Sequence, residues 1–137
     1  MPDTPPPQPG DVPELTLGVV LPPSLDPASL QDLTDALPRL LRESYPGVAW
    51  RVSMVVETLD GRAPSELLET ARDRLLDEDW DLAVVVSDLA LRSGRKPVLT
   101  QISPVHRVGL VALPALRAVG RRESMTTAVA RLVGPLA

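Results

Sequence analysis

Apolar positions along the chain follow two patterns that predict strands. Continuous apolar runs at 15–21 and 82–86 predict buried strands, because a strand covered on both faces loses the usual alternation. Over 48–59 apolar and polar residues alternate, which predicts a strand with one buried face and an outer position in the sheet. Two further strands are predicted at 98–103 and 107–113, joined by a hairpin.

Apolar residues at helical spacing predict a first helix after the first strand. Asp26 is placed to be its N-cap and Pro27 its first helical residue, and the helix ends at Tyr45-Pro46-Gly47. Pro38 lies inside the helix and is expected to kink it, because proline has no N–H to donate. The predicted inner face consists of Leu30, Leu33, Leu37, Leu40 and Leu41.

Apolar residues at helical spacing also predict two more helices. The second begins at Pro64 and the last begins near Glu123 or Ser124, after a connector over 114–122 with room for one helical turn. The second helix has a predicted inner face of Leu67, Leu68, Ala71, Leu75 and Leu76 and a charged outer face that reads as solvated surface. The last helix buries Ala128, Val129, Leu132 and Val133.

The order strand, helix, strand, helix, three strands, helix predicts a three-layer α/β domain. Right-handed crossovers make the first three strands parallel. These rules favour a five-stranded mixed sheet in the order 2-1-3-5-4, with strand four antiparallel at the edge and helices on both faces.

Composition narrows the function classes further. The net charge of −4 argues against a general nucleic-acid binder, which needs clustered excess cations. With no cysteine and one histidine, thiol catalysis and a transition-metal site are not expected, and no cofactor is predicted. No signal peptide or membrane span is evident, so a cytoplasmic location is expected.

The proline-rich start predicts a tail. Residues 1–13 contain six prolines and are expected to be disordered, whereas 14–137 form one domain. The C-terminal segment is apolar and contains Gly134-Pro135, a helix stop, which leaves open that this domain is the N-terminal part of a longer protein. In that case it would be the cytosolic domain of a membrane-anchored protein.

The segment 80–137 resembles the archaemetzincins, metallopeptidases of the metzincin kind. The strand "DLAVVVSDLAL", the edge strand at 97–103 and the segment Val111–Leu116 follow the family's order, and "AVARLVGPL" falls where the family has the zinc-binding H-E-x-x-H helix. In such peptidases the edge strand lies along the peptide substrate, so the resemblance implies that a protein or peptide partner adds to the strand at 97–103.

The same alignment places no zinc ligand on that helix. Its two histidine positions fall on Ala130 and Gly134, and its catalytic glutamate falls on Arg131. A zinc site needs imidazole or carboxylate ligands and a base for the bound water. The resemblance therefore implies a peptidase-like fold that lacks peptidase activity.

Polar residues at strand ends form a second candidate site. Ser87 and Asp88 follow the buried strand, and ligands of open α/β sheets bind outside such carboxyl ends. Ser24 and Asp60 end the neighbouring segments and are expected nearby. The plainer interpretation, that Asp88 caps a turn, is favoured over a small-molecule or cation site.

His106 suggests a third possibility. Together with Ser87 or Ser103 as nucleophile and Asp88 as acid, His106 as base would supply the three residue types of a catalytic triad. Neither serine lies in a G-x-S-x-G turn, and a surface histidine in a hairpin is the favoured interpretation.

A local group of arginines stands out in an otherwise acidic chain. Arg117, Arg121 and Arg122, with Arg107 nearby, suit an anionic partner or an acidic membrane surface, although a solvated loop is the plainer interpretation. Taken together, the sequence favours a non-enzymatic binding or regulatory domain. The alternative is a small-molecule-binding enzyme or hydrolase built around Ser87, Asp88 and His106.

Overall fold

The computed structural model describes residues 13–59, 63–93, 95–118 and 124–136. Its main sheet contains β1 (Glu14–Leu21), β2 (Ala49–Val56), β3 (Leu82–Ser87), β6 (Thr100–Ser103) and β7 (Val108–Ala112). Two short strands, β4 (Arg92–Ser93) and β5 (Lys96–Pro97), form a separate ladder. The helices are α1 (Pro27–Ser44), α2 (Pro64–Glu78), α3 (Leu113–Ala118) and α4 (Met125–Leu136).

The strand order in the main sheet is β2-β1-β3-β7-β6. The β1–β2, β1–β3 and β3–β7 pairs are parallel, whereas β6 runs antiparallel to β7 at the edge. Since β6 and β7 are the fourth and fifth predicted strands, the predicted order 2-1-3-5-4 and the antiparallel edge are confirmed.

The first helix begins as the sequence predicts. The Asp26 carboxylate accepts a hydrogen bond from the backbone N–H of Ser29 at 3.0 Å, and Pro27 supplies the first helical residue. Leu33, Leu37 and Leu41 are fully buried against the sheet.

No helix among the described residues is long and apolar enough to cross a membrane.

Three predicted inward positions are exposed instead, and the first of them is Leu30 of α1, which is 36% exposed. Leu76 of α2 is 62% exposed, because it lies five residues beyond the buried Ala71 and so points about 140° away around the helix. Val56 was predicted to face the core with Trp50, Val52 and Met54, yet it is 59% exposed at the last position of an edge strand.

Two apolar clusters, one on each face of the sheet, make up the core. The first cluster lies between the sheet and helices α1 and α4, and the second lies under α2 and includes Trp80. All six residues of β3 are buried, including Ser87. The three-layer arrangement predicted from the sequence is therefore the arrangement of the fold.

The loop before β6 differs from the expectation. The sequence predicted a strand from Val98, but β6 begins at Thr100, and the segment before it contains the β4–β5 ladder. The Val98 N–H donates to the Leu91 carbonyl at 2.9 Å, which holds Val98 off the sheet. Between β6 and β7 the predicted hairpin turn is a 3₁₀ turn, Pro104–His106, and it ends at Arg107 in the left-handed conformation (φ 57°).

The boundary of the predicted tail can be compared with the structure only at Pro13. Residues 1–12 lie outside the described residues. The Pro13 carbonyl accepts a hydrogen bond from the Ala49 N–H at 2.9 Å. Pro13 thus already contacts the sheet.

Gly18 provides a direct test of this packing. A Cβ at Gly18 would lie 1.9 Å from Cε3 of Trp80, whereas a Cβ at Gly47 would meet nothing within 4 Å. We expect Gly18→Ala to lower the free energy of unfolding by about 1–3 kcal/mol or more, because the indole must move. Gly47→Ala, the matched control, should change it by less than about 1 kcal/mol. Urea unfolding followed by circular dichroism measures both; equal effects would contradict the close contact between β1 and Trp80.

Candidate functional site

The carboxyl ends of β1 and β3 bring together three of the predicted site residues. The Ser24 hydroxyl donates a hydrogen bond to the Asp88 carboxylate. Ser87 is fully buried, and its hydroxyl oxygen accepts the backbone N–H of Leu89 at 3.1 Å. The turn cap expected at Asp88 is therefore supplied by Ser87, whose buried hydroxyl is unsuited to nucleophilic attack. Asp60, the other expected neighbour, lies outside the described residues.

His106 lies at the opposite end of the sheet from Ser87 and Asp88. In the β3–β7 register Ser87 pairs with Ala112, whereas Ala83 pairs with Val108 and donates its N–H to the Arg107 carbonyl. At about 3.3 Å per residue, the two ends of this ladder are about 13 Å apart. The structure therefore does not bring the predicted trio together, because the turn that carries His106 precedes β7 and Ser87 ends β3.

His106 instead contacts α2. Its Nδ1 lies within contact distance of Nη1 of Arg72. A guanidinium only donates, so a hydrogen bond between the two side chains would have Nδ1 as its acceptor. This pair borders a cavity of about 350 Å³ between α2 and the edge strand β6. The residues that line the cavity are Ser65, Leu68, Glu69, Arg72, Gln101, Ser103, His106 and Val108.

The edge strand β6 pairs only with β7 among the described residues. The Ala112 N–H donates to the Leu99 carbonyl at 2.9 Å, so these two opposite residues form a hydrogen-bonded pair. In an antiparallel pair, residues that exchange hydrogen bonds alternate with residues that do not. Gln101 and Ser103 therefore face β7 with their backbone groups, and the N–H and C=O groups of Thr100 and Ile102 point away from the sheet.

The two side-chain faces of β6 have different neighbours. Gln101 and Ser103 lie on the side of α2 and line the cavity. Ile102 packs on the other face against the core beneath α4. A segment added along β6 would thus pass directly beside the cavity, on the side that carries Gln101 and Ser103.

The helix position matched to the zinc-binding helix is packed against α1. The hydroxyl of Tyr45 donates to the Ala130 carbonyl at 3.2 Å, and a Cβ at Gly134 would lie 2.8 Å from the same hydroxyl oxygen. Ala130 is buried and Arg131 is exposed. Where the described ranges can be searched, no three His, Cys, Asp or Glu side chains form a group that could hold a metal ion.

The arginine cluster predicted from the sequence is only partly described. Arg107 precedes β7 and Arg117 lies in α3, which follows β7, so the five residues of β7 separate them. Arg121, Arg122 and the side chain of Arg117 lie outside the described residues.

Sequence reasoning missed the contribution of α2 to the cavity. Ser65, Glu69 and Arg72 belong to the charged face that the helical spacing marks as solvated surface. Their residue types carry no motif. They become a site only because α2 packs next to β6 and the turn at His106, and that contact depends on the tertiary structure.

Comparisons with known proteins give a likeness of fold. No protein-family model matches the chain, and no curated protein sequence matches it. A solved structure described as a chaperone-substrate complex is similar with a TM-score of 0.61 and 13% identity; the match covers 90% of this chain and 26% of that one. This chain thus spans about a quarter of the length of that structure's chain.

A second similar structure is the archaemetzincin of Methanopyrus kandleri. The TM-score is 0.54 and the identity 18%, over 90% of this chain and 69% of the archaemetzincin. The likeness extends beyond the segment 80–137 that the sequence indicated. At this level of identity it establishes a shared fold and no shared chemistry.

The contact between Tyr45 and α4 makes a second prediction. Gly134→Ala should destabilise the protein by about 1 kcal/mol or more, even though alanine favours helices, because the new methyl group meets the tyrosine hydroxyl. In a Tyr45→Phe background, which lacks that oxygen, the same change should be neutral or stabilising. Denaturant unfolding of the four proteins gives the coupling energy, expected to be about 0.5–3 kcal/mol. Additive effects on the free energy of unfolding would show that the Tyr45 hydroxyl does not restrict the side chain at position 134.

Proposed function

We propose that this chain is a non-enzymatic binding or regulatory domain that takes up an extended peptide along the free edge of β6. The observation that carries the proposal is the outward-facing backbone of Thr100 and Ile102, next to a cavity of about 350 Å³. Backbone hydrogen bonds from an edge strand supply affinity in this mode of recognition, and neighbouring pockets supply specificity.

The surroundings of β6 favour a transient partner over a permanent one. The strand has four residues, and Pro97 and Pro104 flank it. Proline has no N–H to donate, so an added segment gains hydrogen bonds over a short length only. The cavity contains both a carboxylate, Glu69, and a guanidinium, Arg72, which suits a polar side chain of the added segment.

The residues of the scaffold support a role without catalysis. The positions matched to the zinc ligands of metzincins are Ala130 and Gly134, which have no metal-binding group, and both are adjacent to Tyr45. Ser87 is buried with its hydroxyl engaged, and His106 is at the other end of the sheet. We therefore infer that the archaemetzincin-like fold serves here for binding in the cytoplasm, either alone or as the cytosolic part of a membrane-anchored protein.

Peptides selected from a random library displayed on phage, and then synthesised, test this proposal. Thr100→Pro removes the outward N–H at that position and leaves the β6–β7 hydrogen bonds intact, whereas Thr100→Val keeps the N–H and nearly the same shape. We expect Thr100→Pro to weaken peptide binding at least about tenfold and Thr100→Val to leave it within about threefold, as measured by isothermal titration calorimetry.

Two outcomes of that experiment would contradict the proposal. One is that selection yields no peptide that binds the purified protein. The other is that selected peptides bind wild type and Thr100→Pro equally well. Circular dichroism spectra of both variants provide the control that each is folded.

One observation supports the alternative function, a small-molecule-binding enzyme or hydrolase around Ser87, Asp88 and His106. Ser24 and Asp88 meet at the carboxyl ends of two parallel strands, where α/β folds bind ligands. Under our proposal, thermal-shift screening of small polar metabolites should find none that stabilises wild type but not Asp88→Ala. A compound with that selectivity, on an Asp88→Ala protein that unfolds like wild type, would favour the alternative.

A further inference from the structure

The sheet has a second free edge, at β2, with a different character. In the part of the chain that the structure describes, β2 pairs only with β1, over the eight residues Ala49–Val56. The N–H groups of Ala49 and Glu57 donate to carbonyls at the two ends of β1, at 2.9 Å and 3.0 Å. Residues along a parallel pair alternate in the direction of their backbone groups. Hence Trp50, Val52, Met54 and Val56 point their N–H and C=O groups away from the sheet.

The side chains beside this edge are apolar. Trp50, Val52 and Met54 pack at the margin of the core under α1, and Val56 is 59% exposed. An open groove of about 440 Å³ runs between α1 and the edge. Leu21, Leu30, Thr34, Pro38, Val52, Met54 and Val56 line this groove. An edge of this length, with a single charged side chain, is a template for pairing with another strand.

We propose that two copies of this chain pair through β2 in an antiparallel, two-fold arrangement that joins their sheets into one of ten strands. A two-fold interface requires a strand that complements itself. One register uses all four outward-facing residues, with Trp50 opposite Val56 of the second copy and Val52 opposite Met54. In this register the two-fold axis passes between the two copies of Ser53.

Charges on the other face favour this register over the one that places the two Val52 side chains opposite each other. Arg51 then lies opposite Val55 of the second copy, with Glu57 of that copy as its diagonal neighbour, a distance that long side chains span. Moving the register by two residues, to place the two Val52 side chains opposite each other, makes the Arg51 side chains diagonal neighbours of each other. Within one copy Arg51 pairs with Glu14 at 2.6 Å, but both side chains are more than half exposed, so this pair is weak and free to rearrange.

A cross-linking experiment tests the register, since the chain has no cysteine. In Ser53→Cys the two thiols face each other across the axis, as a pair without mutual backbone hydrogen bonds whose Cα atoms are about 4.5 Å apart, within the range for a disulfide. In the control Val56→Cys the residue is more exposed, but its two copies are six residues apart, about 20 Å. We expect mild oxidation to convert Ser53→Cys to a disulfide-linked dimer at least about tenfold faster than Val56→Cys.

The mass of the unmodified protein provides a test that needs no variant. We expect light scattering to give twice the chain mass of 14.7 kDa at high concentration, and Val56→Lys to shift the equilibrium to monomer by at least about tenfold, because it sets a charge opposite Trp50. Equal cross-linking of the two cysteine variants, a monomer at every concentration up to about 1 mM, or a dimer unaffected by Val56→Lys would overturn the proposal.

Discussion

The whole architecture depends on burying β3 on both faces. Every residue from Leu82 to Ser87 is buried, so the strand needs an apolar layer above it and another below it. Helices α1 and α4 supply one layer and α2 supplies the other. Gly18 of the neighbouring β1 lets Trp80 lie directly against the sheet on the side of α2. Both faces of the central strand are consequently covered, whereas the outer strands β2 and β6 each pair with a single neighbour among the described residues.

The two edges differ in ways that suit different partners. The edge at β6 is short, flanked by prolines and bordered by a cavity that charged and apolar side chains line together. The edge at β2 is twice as long and bordered by an apolar groove under α1. If two copies join through β2, both β6 edges remain at the far ends of the combined sheet. Such a dimer would carry the proposed peptide site twice, and linked binding sites raise the apparent affinity for a partner with two matching segments.

The fold is similar to that of an archaemetzincin, and in this chain α4 packs closely against the end of α1. The Tyr45 hydroxyl donates to the Ala130 carbonyl and lies against Gly134. Small residues there let α1 and α4 approach each other. The resemblance noted in the sequence at 80–137 agrees with the likeness of fold, which covers 90% of the chain.

The sequence predicted the fold well because its signals are local. The continuous apolar run of β3, the alternation of β2 and the Asp26-Pro27 start of α1 each belong to a single element, and chain-crossing rules then leave few strand orders. The site was predicted less well, because His106 and Arg72 meet only through the packing of α2 beside β6. The helical spacing placed Arg72 on the solvent-exposed face of the second helix. The residue types suggested that His106 acts with Ser87, which lies at the opposite end of the sheet.

Amide hydrogen exchange along the edge strands tests the central claim most directly. In dilute monomer, the N–H groups of Thr100 and Ile102 in β6 and of Val52 and Met54 in β2 should exchange quickly, and their neighbours Gln101 and Ser53 should exchange at least about a hundredfold more slowly. That alternation would establish that both edges are open with the phase derived from the ladders. Uniform protection along either strand would contradict the account, since its backbone groups would already be bonded within a single chain.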